Sequence, residues 1–171
     1  MPDFFGRLLV GGGVGVGKLR RGLYGFKTFS ERGAWVEMLF MAAASFRGYR
    51  VLRPWGEALP YDVAIEESGR LLRVQVKSTS HRAGAGYLCE FTHCCDGRVR
   101  SYSEEELDVC VGYVIPKETW YIIPAHRLTG RKGASAITLC QFAGVREKPR
   151  YERYREAWEL LGKDSRELAQ L

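Results

Sequence analysis

The feature that most restricts what this chain can become is the run Ala34–Ala44, AWVEMLFMAAA, whose only charged member is Glu37. Ser30 offers an N-cap with Glu31 in the first turn, and Gly48 is a natural left-handed residue just past Arg47. Together these predict a helix over 30–47. A helix apolar on every side is expected to be buried. A lone buried carboxylate is costly unless it is paired or bound to a cation, so Glu37 calls for either an arginine partner or a place in a cation site.

The residues that follow supply such a place. Short β-like runs cover Arg50–Trp55, Tyr61–Glu66 and Leu71–Ser78, and the Glu67-Ser68-Gly69-Arg70 turn makes the last two an antiparallel hairpin. Side chains alternate along a strand. Asp62, Ala64 and Glu66 therefore share one face of the first strand, and Arg73, Gln75 and Lys77 share one face of the second. If the polar sets align, Asp62, Gln75 and Lys77 meet at one end of the pair, with Glu37 approaching from the helix. Asp62 is a hard oxygen ligand for Mg²⁺, and the amide oxygen of Gln75 or the carbonyl of Val76 is a second. Such a cation polarises a phosphate and activates water, while Lys77 orients that water or stabilises developing negative charge.

Other signals are weaker. Gly12–Lys18 matches G-x4-G-K, but the next residue is Leu19 where a phosphate loop needs Ser or Thr. Residues 1–26 read instead as a glycine-rich basic arm ahead of a single domain over 27–171. Cys89-x3-His93-Cys94-Cys95 lacks the second ligand pair of a zinc site. The five cysteines are odd in number and unframed, which fits reduced thiols and a cytoplasmic chain. No apolar run reaches membrane-spanning length. Strands are also expected over Tyr87–Thr92, Asp108–Ile115 and Thr119–Ile123, with a turn at Asp96-Gly97 between the first two. A helix from Tyr151 is expected on the spacing Tyr151, Tyr154, Trp158, Leu161. Asp108 is a further acidic candidate, and Arg127, Arg131 and Lys132 are candidates for backbone contact. One α+β domain around a central sheet accounts for these elements.

The order Glu37, then Pro60-Tyr61-Asp62, then Gln75-Val76-Lys77 resembles the PD-(D/E)XK nuclease superfamily, most closely over residues 30–80. There a helical Glu precedes a strand Asp and then E-x-K. Thr119–Ala125 is similar to a strand of one small bacterial and phage branch. The resemblance implies a restriction-endonuclease-like core, a mixed sheet flanked by helices. It implies Glu37, Asp62, Gln75 and Lys77 as catalytic residues, with Asp62, Gln75, Val76 and Glu37 around the metal. Gln75 departs from the acidic residue of E-x-K; the cyanobacterial intron-encoded homing endonuclease branch is similar in using Q-x-K. That resemblance implies an endonuclease dependent on Mg²⁺ (with Mn²⁺ as substitute), acting on double-stranded DNA as a dimer or tetramer. An inactive DNA-binding or assembly module of the same fold, and a resolvase of branched DNA, remain the alternatives.

Charge fits this reading. The chain carries 26 Lys+Arg against 20 Asp+Glu, a net +6. The surplus lies toward the two ends, and the middle third is net acidic. Carboxylates to hold a cation, flanked by basic residues to hold a polyanion, suit an enzyme acting on a phosphate backbone.

Overall fold

The computed structural model describes residues 25–56, 59–95, 98–129, 136–142 and 150–162. The G-x4-G-K motif, most of the 1–26 arm, the Asp96-Gly97 turn, Arg131 and Lys132 lie outside them. The chain divides into two compact units, Met1–Arg32 and Gly33–Leu171.

Helix α1 spans Phe29–Phe46, one residue earlier at each end than expected. Thr28, not Ser30, is the cap: its Oγ1 accepts from the Glu31 N–H at 3.1 Å, and Glu31 accepts in return from the Thr28 and Lys27 N–H groups. This reciprocal capping box satisfies donors that a helix start leaves unpaired. At the other end Gly48 adopts φ +89°, and the Tyr49 N–H returns to the Ala44 carbonyl at 3.2 Å. The helix is not buried all round. Val36, Phe40, Ala43 and Ala44 are buried, whereas Met38 is 54% exposed.

The strands are β1 (Arg50–Leu52), β2 (Val63–Glu67), β3 (Arg70–Thr79), β4 (Arg82–Ala83), β5 (Gly86–Glu90), β6 (Thr92–Cys95), β7 (Arg98–Ser101), β8 (Val109–Val114), β9 (Thr119–Pro124) and β10 (Ala136–Leu139). The main sheet has the order β1-β2-β3-β8-β9; β10-β5-β4 form a second sheet and β6-β7 a third. The β2–β3 hairpin closes on Ser68 and Gly69, both at positive φ, as a tight two-residue turn demands. The β3–β8 pair is parallel and all others are antiparallel. A parallel neighbour needs a long crossover, and β4 to β7 occupy it.

Strands β8 and β9 are buried at every position, which explains their near-continuous apolar sequence. On one side Phe40 of α1 stacks on Trp158, with ring centroids 5.8 Å apart, and meets Trp120 at 5.7 Å. On the other, the second sheet comes so close that a Cβ on Gly112 would lie 2.9 Å from Leu139 Cδ1.

The α-helix expected from Tyr151 is not formed over the described residues 150–162. Glu152–Tyr154 and Trp158–Gly162 are short 3₁₀ turns. Between them the backbone is captured by β9: the Glu156 N–H donates to the Trp120 carbonyl at 2.9 Å, and Glu156 Oε1 accepts from the Trp120 N–H at 2.7 Å. Glu156 stands at φ +51° to do so, which no helix allows. The burial pattern behind the expectation does hold, since Tyr151, Tyr154, Trp158 and Leu161 are all buried. No helix among the described residues is long and apolar enough to cross a membrane.

Candidate active site

The hairpin register decides the site. Val63 faces Val74, and the Asp62 N–H donates to the Val74 carbonyl at 3.0 Å, which places Asp62 opposite Gln75 just before β2 begins. Asp62 Oδ2 accepts from the Gln75 side-chain amide and, at 2.8 Å, from the Val76 N–H. Oδ1 accepts no hydrogen bond among the described residues. Asp62 and Gln75 therefore meet across the hairpin, with Gln75 almost fully buried at 5% exposure.

Burial pushes the Asp62 carboxyl above the usual carboxylate range. The Val76 N–H, the charge of Lys77, the Gln75 amide and the charge of Arg53 all pull against that rise. Lys77 lies on the same face of β3 as Gln75, its Nζ 5.8 Å from the ring centroid of Tyr102. Tyr102 follows β7 and is 6% exposed. Burial, then the negative charge of Asp62, push its phenol upward. Opposite Gln75 on β8 sits Cys110, whose thiol burial pushes up to about 12. Such a thiol is inert at neutral pH, so it adds no nucleophile.

Glu37 is half-buried on α1, its side chain 23% exposed. Arg53, just after β1, comes within ion-pair reach of it at 3.9 Å. Arg53 thus answers one of the two partners that Glu37 called for, and its charge is also felt at Asp62. Neither Arg53 nor Tyr102 was visible in the sequence. Arg53 sits in a loop without periodicity, and Tyr102 lies beyond four further strands. Only the packing around the hairpin brings them in.

Asp108 belongs elsewhere. It accepts from the Arg73 N–H at 2.8 Å and from the Arg73 guanidinium at 2.9 and 3.2 Å, fastening the loop before β8 to β3. Arg127 is exposed at the end of a 3₁₀ turn. His93 packs on Tyr102, with centroids 4.6 Å apart. Burial, then Arg127, lower His126. Cys89 is a buried free thiol. Among the described residues no three His, Cys, Asp or Glu side chains gather as a metal cluster. The donors the hairpin and α1 offer are instead two carboxylates, Asp62 and Glu37, with the neutral oxygens of Gln75 and Val76. An all-oxygen set suits a hard divalent cation and not zinc.

Known proteins share this fold. The family model described as PD-(D/E)XK endonuclease matches residues 29–161. The solved structure of a bacterial homing endonuclease, I-Ssp6803I, is similar at 29% identity with a TM-score of 0.69, over 84% of this chain and 97% of that one. MepB is similar at 15% identity and a TM-score of 0.46, over 70% of this chain and 94% of that one; that likeness is too low to carry weight. No curated protein matches at a significant level.

Proposed function

The chain belongs to the PD-(D/E)XK endonuclease family, and from that premise we propose that it hydrolyses phosphodiester bonds in double-stranded DNA with Mg²⁺, Mn²⁺ serving as a substitute. The observation that carries the reading is the geometry of Asp62: one carboxylate oxygen is held by the Gln75 amide and the Val76 N–H. Those two bonds fix the carboxylate's orientation and leave Oδ1 as a ligand. Glu37, the Gln75 amide oxygen and the Val76 carbonyl complete a set of oxygen donors. A divalent cation bound there polarises the phosphate and makes its water more acidic.

The chain's own groups do the rest. Asp62 and Glu37 hold negative charge where the cation is required. Gln75, a neutral ligand in place of an acid, lowers the charge of the set and with it the attraction for metal. Lys77 presents an ammonium beside Asp62 and stabilises the charge that builds on the phosphate, or orients the attacking water. Tyr102 walls off the site beside Lys77, and the low polarity of that wall strengthens every charge interaction inside it. One chain supplies one such centre, and cutting both strands of a duplex takes two. That requirement supports a homo-oligomer, a dimer or tetramer, measured by sedimentation equilibrium.

Gln75 also favours a second reading, a DNA-binding module that has lost catalysis. Supercoiled plasmid incubated with Mg²⁺ or Mn²⁺ separates the two. The parent nicks or linearises it, and Asp62→Ala and Lys77→Ala each slow cleavage by at least about a hundred-fold. A parent that binds DNA but never cuts it overturns the enzymatic reading. Variants that cut as well as the parent show that the site lies elsewhere.

A further inference from the structure

Arg53 reaches toward both acids of this centre. It lies 3.9 Å from Glu37, and its positive charge opposes the rise of the Asp62 carboxyl. Yet its own side chain is 63% exposed. An ion pair so open to water adds little to folding, so stability does not explain why a cation stands here. Lys77 and Arg53 place two positive charges beside these acids. A donor set already poor in negative charge, because Gln75 replaces an acid, thus has its pull on a divalent cation weakened further by the guanidinium beside Glu37.

Bound DNA changes that balance. A guanidinium matches a phosphate's oxygens with paired donors. An exposed arginine at the rim of a phosphodiester-cutting site has such an oxygen within its reach once the backbone is seated. We infer that Arg53 changes partners: it pairs with Glu37 in the free protein and moves to a backbone phosphate when DNA binds, taking its positive charge away from the carboxylates that face the metal. This rests on the nuclease reading above and adds a coupling to it. DNA strengthens metal binding and metal strengthens DNA binding by the same factor, as linkage requires, and part of that factor runs through one side chain. The arrangement suppresses metal loading until substrate is present.

Calorimetric titration of the full chain with Mn²⁺, without DNA, reads the first half of the exchange. Arg53→Ala binds Mn²⁺ about five-fold tighter than the parent, Arg53→Lys stays close to the parent, and Asp62→Ala binds far more weakly. Thermal unfolding of Arg53→Ala stays close to the parent, because the arginine side chain is largely exposed. Fluorescence anisotropy with a random-sequence duplex reads the second half, with EDTA or with Ca²⁺ as a cation of similar ligand preference. Ca²⁺ tightens duplex binding by the parent, whereas Arg53→Ala binds more weakly and gains about five-fold less from Ca²⁺. An Mn²⁺ affinity unchanged or weakened in Arg53→Ala, while Asp62→Ala loses binding, overturns the role of Arg53 and leaves the metal site standing. An Mn²⁺ affinity indifferent to Asp62→Ala overturns the site itself, and the inference with it.

Discussion

Gln75→Glu probes the centre of the site most directly. Gln75 is 5% exposed and donates its amide proton to Asp62 Oδ2. Glu of the same length sets a second carboxylate against the first. Two unit charges at about 4 Å, in an effective dielectric of about 20, repel by about 4 kcal/mol. The hydrogen bond to a charged acceptor is lost as well, worth about 1.5–3 kcal/mol. Lys77 and Arg53, whose charges already favour ionised Asp62, offset part of this, and the net loss of stability at pH 8 without metal is about 3 kcal/mol. Protonation is no escape there. Holding a proton at pH 8 on a carboxyl of ordinary pKa costs about 5 kcal/mol, but at pH 5 only about 1 kcal/mol.

The sign follows from burial. Asp62 already sits above the usual carboxylate range, and a second carboxylate beside it raises the pair further, so the folded variant keeps a proton that the unfolded chain releases. Its stability is then lost as pH rises through the folded value and regained below it, toward the unfolded value. Urea titrations at pH 8 and pH 5 should show the deficit against the parent shrink from about 3 to about 1 kcal/mol. Mn²⁺ at pH 8 should raise the variant's unfolding midpoint more than the parent's, because two carboxylates then face the cation. A variant as stable as the parent at pH 8 without metal refutes the contact between positions 62 and 75.

Three structural substitutions test the frame around the site. Asp108→Ala leaves the Arg73 N–H and guanidinium without an acceptor that is itself only 11% exposed, and should cost about 2–4 kcal/mol in urea titration; a loss below 0.5 kcal/mol shows the pair is solvent-screened. Gly112→Ala places a methyl 2.9 Å from Leu139 Cδ1 and 3.4 Å from Phe91 Cζ, lowering stability by about 1–3 kcal/mol, and an unchanged midpoint means the two sheets pack less closely. Tyr121→Phe removes the hydroxyl that accepts from the Cys140 N–H at 3.0 Å and bonds Glu152 Oε2 at 2.8 Å. It should cost about 1–3 kcal/mol while leaving plasmid cleavage at the parent rate; a matching loss of cleavage ties this network to the site.

Legibility in the sequence followed distance along the chain. The hairpin was readable because its two strands are joined by one turn: once Ser68 and Gly69 close it, alternation alone carries Asp62 to Gln75 and Lys77 to the same face. Helix α1 was readable from its run and its terminators, although the choice between Thr28 and Ser30 as cap needed the geometry of Glu31. The segment after Tyr151 shows the opposite case. Its apolar spacing foretold which residues are buried, but an unpaired edge of β9 took its backbone for hydrogen bonding, and that competitor lies some thirty residues earlier in the chain.

The sequence by itself determined the local alphabet of this protein: a helix bearing one acid, a polar face on a hairpin, and the order Glu37, Asp62, Gln75, Lys77. Periodicity and turn chemistry act between neighbours, and neighbours are what a sequence displays. The tertiary structure decided what surrounds those residues. The parallel pairing of β3 with β8 put a buried thiol behind Gln75, the crossover brought Tyr102 over Lys77, and the loop after β1 laid Arg53 within ion-pair reach of Glu37. Each of these contacts joins segments separated by many residues, where loop closure and burial select the partner and no spacing rule records the outcome.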